Sequence, residues 1–413
     1  MSIIKQHKRK SHFSKKVMLL FLISALCFCY GCGKAETAST KETTVVQTTS
    51  VEEEITLNPS GETDNATETV IQAEEAADTV TEQVTEATET TEDAYDFRIC
   101  FAGDINLDEN WDTTRYLDKC KGDISRCISP ELLFHMQGAD IMCLNNEFTY
   151  STTGSPMSGK TYTFRANPSR VWVLREMGVD VVKLANNHVY DYGKQAFLDT
   201  METLKEAGIK YVGAGENLQK AMEPVYFEIQ GKTIAFVAAS RAEKNVMTPQ
   251  AGTNSPGILR CYDTTLFKQV IREAKAHADF VLAYVHWGTE YSYQLEKVQK
   301  TTAREYLEAG ADAVIGAHTH CLQGMEYYEG KPIIYSLGNF WFNNKDLDTM
   351  LLDLHFFGTG EQQNLEVQIV PARQSGCQTK IMSEKEEQMR FYDFLEGISV
   401  NVVIDENGVL KSS

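Results

Sequence analysis

Short runs of apolar residues recur along the chain from residue 97 onwards, each about as long as a buried strand. Five of these runs are 97–104 (FRICFAGD), 139–147 (ADIMCLNNE), 179–188 (VDVVKLANNH), 279–288 (DFVLAYVHWG) and 311–320 (ADAVIGAHTH). Stretches with helical periodicity lie between them, at 169–178, 193–208, 264–278 and 297–310. Strands and helices that alternate at this spacing predict an α/β protein whose central strands are buried on both faces.

Further strands are predicted on either side of the fourth run. The stretch 224–240 predicts a hairpin that turns at Gly231, and late strands are predicted at 351–357 and 364–372. The sequence has no internal repeat and no second composition boundary after residue 97. We therefore predict one domain over residues 97–375, followed by a C-terminal extension at 376–413.

The chain begins with a predicted secretory signal over residues 1–32. Residues 1–16 contain six lysines and arginines and no acid, and an apolar run, VMLLFLISALCFCYG, follows at 17–31. This run is shorter than the roughly 20 residues of a spanning helix. Cys32 resembles the modified cysteine of a bacterial lipoprotein, although Cys29 replaces the usual leucine. An uncleaved membrane anchor and an ordinary cleaved signal are the alternatives. We expect a protein on the extracellular face of the cytoplasmic membrane, lipid-anchored at Cys32.

Residues 33–96 are dominated by threonine, glutamate, alanine and valine, with 17 acidic residues and two lysines. Such a segment buries too little apolar surface to offset its chain entropy, so we expect a disordered acidic linker. The chain as a whole carries a net charge of −19, and residues 97–413 remain acidic. Because phosphate binding requires a basic surface, a nucleic-acid partner is not expected.

Polar side chains capable of binding a metal stand at the end of each of the five apolar runs. These are Asp104 with Asn106; Asn145, Asn146 and Glu147; Asn186, Asn187 and His188; His286 with Glu290; and His318 with His320. The carboxyl ends of strands in an open α/β sheet share one edge, where binding sites are built. Any single histidine is more often structural than a ligand, but buried charges in this number require a partner or a cation.

His318 and His320 are separated by one residue, and residues i and i+2 of an extended segment point to the same face. Both rings are therefore expected to point into one cavity. Imidazole together with carboxylate and amide oxygens suits Mn, Zn or Fe, so the predicted cofactor is one or two of these divalent ions. Two such ions close together suit hydrolytic displacement at phosphorus or carbonyl.

Several motifs occur in an order that resembles the CapA-type poly-γ-glutamate capsule biosynthesis proteins of the calcineurin-like metallophosphoesterase superfamily. They are FAGDINL, LNNEFT, TFRANPS, VKLANNHVYDYG, YVGAGEN, VHWGTEY and IGAHTHCLQGMEYYEGKPIIYSLGNFWF, which together span about residues 97–345. The resemblance implies an α/β fold of four layers, an α-β-β-α sandwich with two central sheets and helices outside.

The resemblance also implies a set of metal ligands. They are Asp104, Asn106, Glu147, Asn187, His286, His318 and His320. Glu147 stands where the superfamily has a bridging aspartate. Asn106 stands where it has a histidine, and a neutral amide is a weaker ligand. One of two metal positions is therefore expected to bind its ion loosely or to stay empty.

Other residues are implied to act around the metal. His188 resembles the histidine that acts as general acid or stabilises the departing group, and Asp191 and Glu290 are expected to take part in catalysis. Arg165 and Asn339 are expected to bind substrate, since an arginine can pair with an anionic oxygen in a bidentate manner. A surface arginine in a loop is the alternative for Arg165.

Three functions agree with these features. The first is an exported metal-dependent hydrolase or transferase that acts on an anionic envelope polymer such as poly-γ-glutamate. The second is a non-catalytic accessory that binds or exports this polymer beside a membrane synthase complex, with the cytoplasmic membrane reached through the N-terminal anchor. The third is a general phosphodiester or nucleotide hydrolase. A fold alone does not decide between them.

Overall fold

A computed structural model of the chain describes residues 94–243, 247–360 and 362–413. The predicted signal at 1–32, with Cys32, and nearly all of the predicted linker lie outside the described residues. Within the described ranges, no helix is both long enough and apolar enough to cross a membrane.

The described residues form twenty strands and eight α-helices. The strands are β1 (Ala94–Ile105), β2 (Ile141–Asn146), β3 (Thr149–Tyr150), β4 (Arg165–Ala166), β5 (Val181–Lys183), β6 (Lys210–Val212), β7 (Ala214–Gly215), β8 (Val225–Ile229), β9 (Lys232–Ser240), β10 (Gly257–Ile258), β11 (Phe280–His286), β12 (Ala313–Ala317), β13 (Leu322–Tyr328), β14 (Lys331–Leu337), β15 (Asn339–Trp341), β16 (Leu347–Thr359), β17 (Gln362–Ser375), β18 (Gln378–Ile381), β19 (Val402–Ile404) and β20 (Leu410–Ser412). The helices are α1 (Asp112–Lys119), α2 (Pro130–Gln137), α3 (Trp172–Glu176), α4 (Gly193–Glu206), α5 (Leu218–Met222), α6 (Thr265–Lys275), α7 (Lys297–Glu308) and α8 (Lys385–Gly397).

Two large sheets contain most of the strands. The first sheet has the order β18-β17-β16-β1-β2-β5-β6, with β15 also paired to β1. The second sheet has the order β13-β14-β12-β11-β9-β8. In both sheets the central strands are parallel: β1 to β2 and β2 to β5 in the first, and β9 to β11 and β11 to β12 in the second. The predicted hairpin at Gly231 is confirmed by the antiparallel pairing of β8 with β9.

The main hydrophobic core lies between the two sheets. The ring of Phe101 on β1 lies 6.0 Å from that of Phe236 on β9 and 5.7 Å from that of Tyr284 on β11. Successive side chains of β9 point to opposite faces of the sheet, and both faces are buried. Phe236 belongs to this core, whereas Ala235 and Val237 belong to a second one. The aromatic residues of the runs at 97–104 and 279–288 therefore hold the sheets together.

The second core fills the space between the second sheet and its outer helices. Phe267 on α6 and Tyr306 on α7 belong to it, with ring centroids 4.9 Å apart. On the other side of the molecule, α2 lies against β18 and α4 against β6. Helices, two sheets and helices make four layers, so the predicted α-β-β-α sandwich is confirmed.

The strand pattern alone predicted that the five apolar runs belong to one sheet. This prediction is wrong. The runs at 97–104, 139–147 and 179–188 form β1, β2 and β5 of the first sheet, whereas those at 279–288 and 311–320 form β11 and β12 of the second. Periodicity identifies a buried strand but carries no information about its neighbour, which is why the pattern missed the division.

The C-terminal residues 376–413 form β18, α8, β19 and β20. Strand β18 pairs with β17, and α8 packs against β13. The backbone amide of Met325 on β13 donates to the hydroxyl of Ser399, which follows α8, over 2.8 Å. This segment therefore covers the edge strand of the second sheet.

Candidate metal centre

The polar side chains at the strand ends meet where the two sheets approach each other. Asp104 near the end of β1 stands beside Asn145 on β2 and Asn339 on β15. His286 ends β11 of the second sheet, and its Nε2 lies 3.4 Å from Oε1 of Glu147. Gly103 permits this close packing, because a Cβ there would lie 2.0 Å from a backbone carbonyl oxygen of the β14–β15 turn.

Two overlapping groups of side chains place their ligand atoms close enough to hold a cation. We call Glu147, His286 and His318 the histidine half, and Asp104, Glu147 and His320 the aspartate half. Within each half the three ligand atoms all lie within 4.8 Å of one another. All five side chains are buried, and Glu147 belongs to both halves. This is a cluster with one shared carboxylate.

The residues present fit a divalent metal. Oδ2 of Asp104, Oε1 of Glu147 and Nδ1 of His318 are buried and have no hydrogen-bond partner among the described residues. Buried polar atoms are nearly always paired, since an unpaired one costs about 1–3 kcal/mol. A cation between the two halves would pair all three atoms, and nitrogen and oxygen donors of this kind suit transition ions.

The histidine half is held by residues from both sheets. Nζ of Lys183 on β5 lies 2.7 Å from Nδ1 of His286, and Nε2 of His286 lies 2.7 Å from Oδ1 of Asn187. Because burial lowers the pKa of Lys183 to about 7, its neutral amine can accept from Nδ1–H of His286, and this tautomer leaves Nε2, beside Asn187, unprotonated for a metal. Lys183 therefore orients a predicted metal ligand from behind.

The imidazoles of the histidine half are neutral at physiological pH. Burial, together with the nearby charge of Lys183, holds the pKa of His286 well below its usual range. Burial, reinforced by His320, lowers the pKa of His318 to about 3. Burial also lowers the pKa of Lys183 to about 7, although Asp104 and Glu147 oppose this. Neutral imidazole is the form that binds a metal, so no proton has to leave these two ligands.

The aspartate half has the opposite electrostatics. Nδ1 of His320 lies 2.8 Å from Oδ1 of Asn339 and 3.4 Å from Oδ2 of Asp104. Burial alone lowers the pKa of His320, but the nearby charges of Glu147 and Asp104 outweigh it and raise the pKa to about 9. Burial and the charge of Asp104 raise the pKa of Glu147 well above its usual value. His320 is therefore protonated in the metal-free protein.

His318 and His320 share the cluster for a reason other than the predicted strand alternation. Strand β12 ends at Ala317, and both histidines have positive φ angles, 100° for His318 and 54° for His320. Their ring centroids are 6.2 Å apart. The expectation of an extended segment is wrong. A turn with left-handed residues, a strained conformation that is concentrated at functional sites, directs both rings to the centre.

A ladder of amides connects the carboxylates of the two halves. Nδ2 of Asn145 donates to Oδ1 of Asp104 over 2.7 Å and to Oε2 of Glu147 over 3.0 Å. Nδ2 of Asn186 donates in turn to Oδ1 of Asn145 over 3.1 Å. These bonds leave the other oxygen of each carboxylate free, which fixes the direction in which the pair can bind a cation.

His188 forms a separate polar group beside the cluster. Its Nδ1 lies 2.7 Å from Oδ2 of Asp191, which also accepts from the amide of Phe164 over 2.8 Å. Oδ1 of Asp191 pairs with Nζ of Lys160 at 2.6 Å, and Lys160 pairs with Glu243 at 3.1 Å. Burial lowers the pKa of His188, and Asp191 opposes that shift in part. The predicted catalytic residues His188 and Asp191 are thus in direct contact.

The remaining predicted residues lie around the centre in different ways. Glu290 is exposed and lines the same cavity as His188 and His320. Oδ1 of Asn106 accepts from the amide of Asp108 over 2.8 Å, while its buried Nδ2 has no partner in the described part of the chain. These contacts leave the predicted roles of Asn106 and Glu290 as predictions.

The guanidinium of Arg165 contacts a neighbouring loop and an aromatic ring. Its Nη1 donates to the carbonyl oxygens of Thr153 and Gly154, over 2.7 Å and 3.2 Å, and its guanidinium lies 4.2 Å from the ring centroid of Tyr192. These contacts hold a loop rather than an anion. Its predicted role in substrate binding stays a prediction.

Three residues of the site had no predicted role. Lys183 was visible as one charge inside the apolar run at 179–188, a position where an ionic side chain requires a buried partner. Asn145 stands among the polar groups at the strand ends, but nothing in its spacing indicates that it bridges two carboxylates. Lys160 lies in a loop distant in sequence from Asp191, so only the fold brings them together.

Comparison with known proteins agrees with this architecture. Residues 98–344 match the family described as Bacterial capsule synthesis protein PGA_cap. The PGA biosynthesis protein CapA of Bacillus subtilis (strain 168) is 32% identical over 327 residues, covering 76% of this chain and 83% of that protein. The Capsule biosynthesis protein CapA of Bacillus anthracis is 35% identical over 214 residues, covering 49% of this chain and 50% of that protein.

A solved structure of a hypothetical protein from Thermus thermophilus covers 68% of this chain and 99% of its own, with 16% identity and a TM-score of 0.40. The family match includes the parallel strands of both sheets and every residue of the histidine and aspartate halves. On this match and on the likeness to the Bacillus subtilis protein, the chain belongs to the PGA_cap family of bacterial capsule synthesis proteins.

Proposed function

We propose that this domain is a metal-dependent hydrolase or transferase of capsule synthesis that acts on an anionic envelope polymer such as poly-γ-glutamate. The observation that carries the proposal is the pair of donor groups joined through Glu147, with three buried donor atoms that have no partner among the described residues. The names of the two Bacillus relatives support a role in capsule or PGA biosynthesis.

The proposed cofactor is one or two ions of Mn, Zn or Fe. The histidine half would hold one ion, with Asn187 beside it, and the aspartate half would hold the other, with Asn106 beside it. When bound, such ions polarise the scissile group and lower the pKa of a bound water. Lys183 would keep His286 oriented, and Asn145 would keep one oxygen of Asp104 and one of Glu147 directed away from the ion.

His188 is the proposed proton-transfer residue. Its Nδ1 is occupied by Asp191, which leaves Nε2 for the cavity that His188 lines. Because burial lowers its pKa, His188 is neutral at pH 7 and first takes a proton from the attacking group. It can then return that proton to the departing group, the role that the family resemblance implies. Asp191 stabilises the charged imidazolium between these two events.

Replacement of His188 tests this proposal. His188→Ala should lower the rate of cleavage of oligo-γ-glutamate, or of a chromogenic phosphodiester, by roughly 10²–10⁴-fold. Metal content measured by elemental analysis should be unchanged, because neither half contains His188. His355→Ala is the matched control, since His355 lies on β16 and contacts Asp96. Equal rates for His188→Ala and the wild type would exclude proton transfer by His188.

A second candidate, the non-catalytic polymer-binding or exporting accessory of a membrane synthase, is favoured by one observation. Lys183 lies 2.7 Å from His286 and, with a pKa of about 7, carries a buried positive charge below that pH. This charge competes electrostatically with a cation in the histidine half. A purified protein that holds metal but turns over none of these substrates would support the accessory.

We also propose that the chain is held at the outer face of the cytoplasmic membrane through Cys32. The lysine-rich start, the apolar run at 17–31 and the acidic tract at 33–96 support this arrangement. Cys32→Ala should move the full-length protein from the detergent phase to the aqueous phase and change the mass of the mature form. Unchanged partitioning and mass would favour an uncleaved anchor.

A further inference from the structure

An aromatic cleft opens directly beside the metal cluster. Its volume is about 260 Å³. The aromatic cleft is lined by the rings of Trp111, Tyr162, Phe164, Tyr291 and Phe342. Tyr162 and Tyr291 remain 58% and 45% exposed, although large aromatic rings gain most from burial. Unburied rings gathered around one cavity indicate a surface that is completed by a ligand.

The rings contact the residues that the proposed reaction uses. The ring centroid of Phe164 lies 4.5 Å from that of His188, and the ring centroid of Phe342 lies 4.7 Å from that of His320. Tyr291 lies 5.8 Å from His320 and has a positive φ of 56°, a strained conformation for a non-glycine residue. A group held in the aromatic cleft therefore lies next to the reacting centre.

The charges of the aromatic cleft do not suit a polyanion. Its walls carry the carboxylates of Asp112 and Glu290 and one ammonium, that of Lys345. Nζ of Lys345 already lies 3.7 Å from the ring centroid of Tyr291. With the imidazole of His320 also facing the cleft, two carboxylates and one ammonium give the walls no net positive charge that would attract a chain of carboxylates.

The walls instead match a ring that carries hydroxyl groups. Carboxylates accept hydrogen bonds and amides both donate and accept them, so Asp112, Glu290, Asn343 and Asn344 can serve hydroxyls of either polarity. Aromatic faces pack against the C–H face of a pyranose ring. At about 260 Å³ the cavity is slightly below the range of about 300–1,000 Å³ typical of pockets for drug-sized ligands, so it suits a small ligand such as a sugar ring.

The angles between the aromatic rings allow a ligand ring to pack against one aromatic face, but not between two parallel faces. Trp111 meets Phe164 at 68° and Tyr162 at 82°, and Phe164 meets Phe342 at 88°. The nearly parallel pair, Tyr162 and Phe164, has centroids only 6.4 Å apart. That separation leaves no space for a flat base between them, because stacked rings need about 3.5 Å on each side. A nucleobase gains little from such walls.

We infer that the aromatic cleft is a saccharide-binding subsite, which places a pyranose ring of an envelope glycan beside the metal cluster. The importance of a sugar at that position rests on the proposed function. Binding of the sugar does not require turnover. It adds a second substrate class, a neutral sugar, to the anionic polymer proposed above.

Binding can be measured on the full chain through the fluorescence of Trp111 and by calorimetry. The probes are linear tetramers of glucose and of N-acetylglucosamine, a γ-glutamate tetramer, and AMP. One or both sugar tetramers should bind more tightly than the other two probes. Tyr162→Ala and Tyr291→Ala should each weaken sugar binding by about tenfold, the upper range for one aromatic contact.

Tyr293→Ala is the matched control, because Tyr293 is 48% exposed but packs on Phe394 outside the aromatic cleft. It should bind sugar like the wild type. Thermal melting of each variant separates lost binding from lost folding. Failure of both sugars to bind, tighter binding of γ-glutamate or AMP, or equal losses in Tyr291→Ala and Tyr293→Ala would overturn the inference.

Repeating the titration with His188→Ala separates the two proposals. Sugar binding by a wild-type protein that hydrolyses none of the substrates would support the subsite and contradict the proposed reaction. Turnover that depends on His188, in a protein that binds no sugar, would support the reaction and contradict the subsite.

Discussion

The histidine half and the aspartate half of the cluster share Glu147 but differ in how their imidazoles are held. His318 is buried with an unpartnered Nδ1 among the described residues, and its pKa is lowered to about 3. His320 is equally buried but contacts Asp104, and its pKa is raised to about 9. The same side chain at the same depth is therefore neutral in one half and charged in the other.

The difference shows that a carboxylate, rather than depth, decides whether a buried imidazole is ready for a metal. The two imidazoles of the histidine half are already in their binding form, with Lys183 behind His286 and Asn187 in front of it. The aspartate half must release a proton before it can bind a cation. We therefore expect the two positions to differ in affinity and in pH dependence.

The largest effect should come from removing the histidine half. His286→Ala together with His318→Ala leaves Glu147 without its two neutral nitrogen ligands, so the tighter ion should be lost. Its affinity should fall by more than the roughly 10–100-fold typical of changes outside the ligand shell. His320→Ala should lower only the occupancy of the weaker position. Elemental analysis after dialysis against zinc or manganese measures both.

The histidine half does not hold the tighter ion if His320→Ala removes as much metal as the double variant. That result would mean that a single ion is held chiefly by the aspartate half. Far-ultraviolet circular dichroism should show that all three proteins remain folded, so that lost metal is not mistaken for lost structure.

The sequence was sufficient to predict the five side chains that cluster, but not the electrostatic difference between the halves. Asp104, Glu147, His286, His318 and His320 each stand at the end of an apolar run, and the chemistry of those residue types indicates a metal. The pattern could not divide the runs between two sheets, because a strand's neighbours depend on long-range pairing. The family resemblance supplied the two-sheet architecture.

The missed residues share a physical cause. Lys183 lies on β5 of the first sheet and His286 on β11 of the second, and 103 positions separate them in the sequence. Asn145 donates to two carboxylates because of the local geometry at the end of β2. Its position in the sequence would be the same if it made neither contact. Contacts of this kind are produced by the packing of the sheets and leave no periodic signal.

The second effect is a pH dependence confined to the aspartate half. Below pH 9 His320 holds a proton that a cation must displace, so affinity for the weaker ion should rise about tenfold per pH unit between pH 7 and pH 9. His318, with a pKa of about 3, has no proton to release in that range, so the tighter ion should respond far less. Calorimetry in buffers of different ionisation enthalpy counts the released protons.

The metal-free protein provides a check on the sign of these shifts. The stabilisation from charged His320 is complete below pH 6.5, the value for an unperturbed histidine, and is lost as the pH rises through 9. Neutral His318 has the opposite effect, because stability falls as the pH drops from 6.5 towards 3. Equal pH responses of the two ions would contradict the assignment of the protonated imidazole to the aspartate half.

The smallest effect should come from a variant that raises the metal affinity of the aspartate half. Asn106→Asp conserves volume and keeps the oxygen that accepts from the amide of Asp108. It replaces an Nδ2 that has no partner among the described residues with a charged oxygen. If Asn106 is a ligand, the added carboxylate should tighten the ion of the aspartate half by about tenfold, since charge-assisted contacts are roughly twice as strong as neutral ones.

The same variant should destabilise the protein when metal is absent. A third carboxylate near Asp104 and Glu147 adds like-charge repulsion in a buried site, and this lowers the melting temperature after chelation. Adding zinc or manganese should restore the melting temperature, because the cation neutralises the added charge. Unchanged affinity in Asn106→Asp, with unchanged melting of the chelated protein, would show that Asn106 lies outside the metal centre and that the aspartate half is complete with Asp104, Glu147 and His320 alone.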